Sequence, residues 1–399
     1  MIRRASLLLP VASCLLSTAC GSDKASSAAD TAPPDTNAPD SSTPDTADPD
    51  AANPDTDLPD TNAPDNEDPP DTTAADIEAP DSAQDTRPDV PWTPITYTYP
   101  TCGPTAADLA GCVDPARMES SLSAIVGSRY PGEAKWQEAQ DLCRTTFEGL
   151  GFETTLQPTL LGVNVIGVKL GTELPNEQVI LGAHYDGVRG CDGADDNGSG
   201  VAGLLEAARV LSEGAHRRTL VVACWDVEEL GLEGSTTHAS LITPEDVIAV
   251  YDFEMIGFTD DTPNSQQLPL GFGAFFPEAP VILESLGGRG VFIALIAGEN
   301  ASGPVAALSD AARAIGLPVA PIVLAQNLIG LSGFADLHRS DHASFWRRGI
   351  PAVQLTDTAN FRNPNYHKPT DTIETLNLER MTRTVEGLVG AVRELAGGK

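Results

Sequence analysis

Residues 182–200 read GAHYDGVRGCDGADDNGSG, and residues 223–235 read ACWDVEELGLEGS. The first stretch sets His184 and Asp186 at the end of an apolar run and follows them with the paired Asp195 and Asp196 in a glycine-rich loop. The second sets the paired Glu228 and Glu229 at the end of another apolar run. Imidazole and carboxylates gathered at strand ends are the donors a divalent transition metal takes. His184 and Asp186 share a face if the chain stays extended, so the carboxylate can orient the imidazole. Glu228 and Glu229 would point to opposite sides of a regular strand. A turn at the strand end lets one bind metal while the other faces a water and takes its proton. The loop DDNGSG, taken alone, is also the composition of a turn and helix cap. With the histidine and the glutamate pair beside it, the pattern points to a hydrolytic metalloenzyme.

These residues need elements to hold them. Short apolar runs predict strands over 164–169, 178–183, 218–226, 247–254, 291–297 and 352–356. Helical patterns cover 114–125, 135–150, 200–212, 233–241, 303–315, 342–348 and 378–395. After DDNGSG, Val201, Leu204, Leu205, Ala208 and Leu211 recur at helical spacing, with Gly214 as a stop. Strands alternating with helices argue for an α/β fold, a three-layer α/β/α sandwich around a mixed, mostly parallel sheet. Ligands of such sheets bind beyond the carboxyl ends of the strands, where His184, Glu228 and Glu254 all fall.

The rest of the 399-residue chain reads as an address and a tether. Arg3 and Arg4 precede an apolar stretch over 5–19, too short to span a bilayer and laid out like a secretory signal. The end of that stretch, LSTACG, resembles a bacterial lipoprotein cleavage box despite Ser17 in the usual leucine position. Cys20 would then be the lipidated N-terminus, anchored to a membrane in the cell envelope. Cleavage after Ala19 without lipidation would give a secreted protein instead. Residues 20–96 repeat Pro-Asp-Thr and Ala-Pro-Asp units. Between Gly21 and Pro91, 19 acidic residues against Lys24 and Arg87 carry about half of the chain's net charge of −33. Such a segment has few large apolar side chains to offset its ordering entropy, and proline with like charges extends it, so a disordered tether is expected. Residues 97–399 are globular in composition and long enough for one large core. The acidic domain has no basic stripe, which excludes nucleic acid as a partner. Of seven cysteines, Cys14 leaves with the signal and Cys20 is lipidated. Cys224, inside LVVACW, is expected as a buried free thiol. Cys102, Cys112, Cys143 and Cys191 are left to form two bridges, with Cys102–Cys112 a short-loop option.

The set HYD, GADDNGSG, EELGLEGS, EMIG, RSDHASFW and TDTANFRNPNYHKPTDT resembles the zinc-dependent M28 peptidases, chiefly aminopeptidases, over most of 163–376. The resemblance implies a zinc exopeptidase-like fold, peptide substrates and two zinc ions per chain sharing a bridging water or hydroxide. It implies that His184 binds the first zinc, Asp196 bridges both, Glu229 binds the second with His367, and Glu228 is the general base. It also implies a cis peptide between Asp195 and Asp196. Many members carry Asp-Met where this chain reads YDFEMIG. Aligning on Met-Ile-Gly makes Glu254 the remaining ligand of the first zinc, with Asp252 as the alternative. Formal charges then balance: Asp196, Glu229, Glu254 and one hydroxide offset two zinc ions, leaving Glu228 free to move a proton. Tyr366, next to His367, is a candidate donor to the developing oxyanion. Asp341 and His342 are implied to support the pocket, and Asp371 to cap or orient the His367 loop. His216, His238 and His338 carry no expected role. The leading expectation is an aminopeptidase. The ligands alone leave a carboxypeptidase or a glutaminyl cyclase-like acyltransferase open; a non-catalytic binding module is the alternative of another class, and a competent residue at every ligand position stands against it.

Overall fold

Eight strands form one sheet in the order β1-β2-β4-β3-β5-β8-β6-β7. They are β1 (Glu153–Pro158), β2 (Val163–Lys169), β3 (Leu174–His184), β4 (Arg218–Trp225), β5 (Val247–Phe253), β6 (Ile293–Gly298), β7 (Val319–Leu324) and β8 (Ala352–Thr356). In this computed structural model residues 92–103, 106–269 and 271–397 are described. The expected signal stretch, Cys20 and nearly all of the acidic tether lie outside them. From Trp92 onward the chain already packs on the α/β unit: the Arg289 guanidinium sits 4.7 Å from the Trp92 ring centre, and Thr98 N–H donates to Ile315 O at 2.9 Å.

The sheet is mixed as expected. β4, β3, β5 and β8 run parallel side by side, while β2 against β4 and β6 against β8 are antiparallel. Ten helices accompany the strands among the described residues: α1 (Ala106–Leu109), α2 (Pro115–Ile125), α3 (Ala134–Gly149), α4 (Gly200–Ser212), α5 (Glu233–Leu241), α6 (Phe272–Phe275), α7 (Glu278–Ser285), α8 (Ser302–Ala314), α9 (His342–Trp346) and α10 (Leu378–Leu395). Helices α2, α3, α4, α8 and α10 cover one face, and α5, α7 and α9 cover the other, each over its own apolar core. Helix starts follow their sequence. Asp114 accepts from Ala116 N–H with Pro115 at the first helical position, and Asn377 accepts from Arg380 N–H. Helix α4 is apolar nearly all round because it lies between the sheet on one side and α2 and α10 on the other.

The two strands that periodicity did not indicate, β1 and β7, are the two edges of the sheet. β1 is half exposed, with weak alternation, and β7 carries Pro321, which only an edge tolerates easily. The cysteine expectation needs correcting. Cys102 does pair with Cys112, but Cys224 is bonded to Cys143, and the free thiol among the described residues is the buried Cys191. The apolar run of β4 points Cys224 at the layer occupied by α3, where Cys143 faces inward, 6.4 Å away between Cα atoms.

Candidate metal centre

Four adjacent parallel strands bring the candidate residues to one end of the sheet. His184 closes β3, Glu228 and Glu229 follow β4, Glu254 follows β5, and His367 stands in the loop after β8. The backbone turns sharply at the last three of these places. Val227 (φ 60°), Met255 (φ 57°) and His367 (φ 56°) all adopt the left-handed region that side chains disfavour. The turn at Val227 breaks the strand alternation, so Glu228 and Glu229 both reach the centre.

Asp196 lies at the middle. One carboxylate oxygen is 3.5 Å from His184 Nε2 and the other is 3.0 Å from His367 Nε2. Glu254 Oε2 approaches His184 Nε2 at 3.2 Å, and Glu229 Oε2 approaches His367 Nε2 at 3.3 Å. The donor atoms therefore fall into two triads, His184–Asp196–Glu254 and Asp196–Glu229–His367, each within 4.8 Å and sharing Asp196. Glu228 joins His184 and Glu229 in a third, overlapping group. Asp252, the alternative to Glu254, is turned away: its Oδ2 accepts from Ser340 Oγ and from His342 N–H.

The loop carrying Asp196 is held from several sides. Arg129, fully buried, donates to the carbonyls of Tyr185, Asp192, Gly193 and Asp196. Asp371 accepts from the N–H groups of Asp195 and Asp196, so it caps the acid loop rather than the His367 loop. Asp195 binds no candidate ligand; its carboxylate accepts from Gly257 N–H, Ser199 Oγ and Asn363 Nδ2. Asn197 accepts from Met255 N–H and donates to Glu254 Oε2, tying the acid loop to the end of β5. Gly193 is left-handed (φ 58°), and a Cβ there would strike the Asp196 carbonyl. The cis peptide falls between Asp196 and Asn197, one bond later than the expected Asp195–Asp196. Asp186 lies 3.4 Å from His184 Nδ1 and accepts from the N–H groups of Glu228 and Glu229. One carboxylate thus ties the end of β3 to the end of β4.

Electrostatics mark the centre as one that wants cations. Burial, then the charge of Asp196, pushes Glu229 up to about 7. Burial would lower His367, but Asp196 and Glu229 raise it to about 10. Burial would also raise Asp196, but His184 and His367 hold it below the ordinary carboxylate range. Burial, opposed by His184 and reinforced by Glu254 and Glu229, holds Glu228 well above its ordinary value. His184 Nδ1 and Nε2 and Glu229 Oε1 are buried without a hydrogen-bond partner. Orphaned imidazole nitrogens facing carboxylates are a fit for a metal ion and a poor fit for anything else of that size.

Tyr366 stacks on the His367 ring at 3.8 Å, and its hydroxyl accepts from Arg339 Nη2 at 2.9 Å. Asp341 is fully buried with neither carboxylate oxygen hydrogen-bonded, and His342 Nε2 meets Leu337 O at 3.0 Å. His216 and His238 are both buried, and His238 Nδ1 accepts from Trp225 Nε1 at 3.0 Å. Arg129 had no sequence signal, because it acts on backbone groups far along the chain, and Asn197, though inside DDNGSG, gave no sign of its partners Met255 and Glu254.

The family model "Peptidase family M28" matches residues 164–392. The chain is 34% identical over 226 residues to "Uncharacterized protein YfbL" of Escherichia coli, covering 53% of this chain and 65% of that one. It is 32% identical over 225 residues to "Probable lipoprotein aminopeptidase LpqL" of Mycobacterium tuberculosis, covering 53% and 40%. The chain thus spans less than two thirds of the length of these curated relatives. Its fold is that of the zinc aminopeptidase BSAP from Bacillus subtilis, with a TM-score of 0.55 at 16% identity, covering 72% of this chain and 95% of that one.

Proposed function

We propose that this chain, which belongs to peptidase family M28, is a two-zinc aminopeptidase that removes N-terminal residues from peptides. The observation that carries the reading is Asp196, whose two oxygens face two imidazoles and join two donor triads. On this reading His184 and Glu254 hold one zinc, Glu229 and His367 hold the other, and Asp196 bridges. The ions, when bound, polarise a scissile carbonyl and lower the pKa of water toward neutrality. The protein's own groups do the remainder. Glu228, raised well above its ordinary range chiefly by burial, takes the proton of the attacking water and hands it to the leaving amine. Tyr366, whose hydroxyl oxygen is occupied by Arg339, has its proton free to donate to the developing oxyanion. Asp186 fixes the His184 ring and the Glu228–Glu229 backbone together. The relatives named aminopeptidase support the exopeptidase reading.

The same reading puts the peptidase unit outside the cytoplasm, anchored through Cys20 and extended by the acidic segment. The name of the lipoprotein relative supports this, and membrane fractionation of wild type against Cys20→Ala tests it.

The deciding experiment loads the full chain with zinc and offers aminoacyl amides, N-blocked peptides and N-terminal glutaminyl peptides. Release from free N-termini alone, abolished by chelation and restored by zinc, is expected. Equal cleavage of N-blocked peptides, or cyclisation without hydrolysis, would overturn the assignment.

A further inference from the structure

Beside the candidate centre a cavity runs across the sheet face under α6 and α7. Glu254 and Tyr366 stand among its lining residues, so it is continuous with the centre. Strand register explains its shape. Asp252, Gln354, Ile296 and Ile322 are successive partners across β5, β8, β6 and β7, and Thr356, Ala294 and Ala320 form the next row. Paired residues point to the same face. The alanine row leaves a trough that the isoleucine row flanks, and Phe272, Leu283, Phe292 and Phe334 complete an apolar enclosure.

Polar residues line it too, with Gln354 and Ser340 buried and Asp336, Arg339 and Asn360 exposed. Gln354 is 7% exposed and lines the cavity, yet no hydrogen-bond partner for its side chain is found among the described residues. Of the other two glutamines of the wall, Gln267 is exposed and Gln266 is engaged, donating to Thr358 Oγ1 and accepting from Arg362 Nε. An apolar occupant would strip water from this amide of Gln354 and leave it unpaired, which costs free energy unless the occupant itself supplies a partner. We infer that Gln354 is a specificity-determining residue that receives the hydrogen-bonding tip of an aromatic side chain, so that the centre prefers N-terminal tyrosine over phenylalanine. A phenol hydroxyl has one donor and an acceptor oxygen, which a single glutamine amide can match. Gln354 lies one strand spacing, about 4.8 Å, from the strand that carries Glu254, within reach of one side chain. The inference rests on the aminopeptidase reading for its substrate but on the cavity alone for its ligand chemistry.

The test has two arms on the zinc-loaded full chain. In the first, 4-ethylphenol should bind at least as tightly as ethylbenzene although it is the more polar probe. Gln354→Met, which keeps volume, should weaken the phenol relative to ethylbenzene about tenfold. Gln354→Leu serves as the second variant should the first not fold. In the second, kcat/KM for tyrosine amide should exceed that for phenylalanine amide, and the ratio should fall about tenfold in the variant. A phenol preference that survives removal of Gln354, or its absence from wild type, overturns the inference. A preserved phenol preference in a chain that hydrolyses no aminoacyl amide supports Gln354 while removing the peptidase reading.

Discussion

At the scale of residues, the centre separates groups that hold metal from a group that moves a proton. Glu228→Gln keeps size and polarity but cannot accept a proton, so kcat should fall by roughly 10²–10⁴-fold with zinc content unchanged. Metal analysis beside single-turnover hydrolysis checks this, and near-wild-type turnover would strip Glu228 of the base role. His367→Ala removes one donor of a single triad. Bound zinc should then drop from two ions toward one, with His184, Asp196 and Glu254 still in place. Two ions retained at wild-type affinity would take His367 out of the ligand set. The sequence made most of these groups legible because each lies in a short run of unusual composition, as in ADDNGSG or VEELG. Glu254 was legible only as one of two acids on one strand face. It took the contacts of Asp252 to Ser340 and His342 to separate them.

At the scale of elements, the acid loop is where position is decided. It crosses from β3 to α4, and its backbone is satisfied by side chains from distant segments: Arg129 after α2 and Asp371 before α10. None of this was legible, since an arginine in GSRYPG reads as a surface residue until the fold closes over it. The edge strands were missed for other reasons: β1 buries too little on either face to impose a pattern, and β7, though one face is buried, is short and interrupted by Pro321. Arg129→Met would leave carbonyls of residues 185, 192, 193 and 196 without donors in a dry site. Loss of about 3–5 kcal/mol of stability is expected, with weaker zinc retention as the loop loosens. Arg129→Lys should rescue little, because a single ammonium cannot span carbonyls the guanidinium fork reaches together. Urea unfolding with zinc titration measures both, and a lysine variant of wild-type stability would show that charge rather than geometry holds the loop.

At the scale of the whole molecule, the sheet divides the interior into two cores with different liabilities toward pH. The core on the α5–α9 side contains His238, packed against Trp225 and Phe345 and accepting from the indole N–H. Burial lowers its pKa from 6.5 to about 4, because a charged imidazolium there would be cut off from water. The sign follows from proton binding. Between pH 6.5 and 4 the unfolded chain binds a proton at this position and the folded chain does not, so stability is lost as pH falls through that window. The group's share at pH 4.5 is about 2–3 kcal/mol relative to pH 7. His238→Gln keeps an acceptor for Trp225 but cannot titrate. The difference in unfolding free energy between wild type and variant should therefore shrink or invert on acidification by that amount, since other titrating groups cancel in the subtraction. A pH-independent difference would mean that His238 charges within the fold, through an opening of the α5–α9 layer that exposes the imidazole to water.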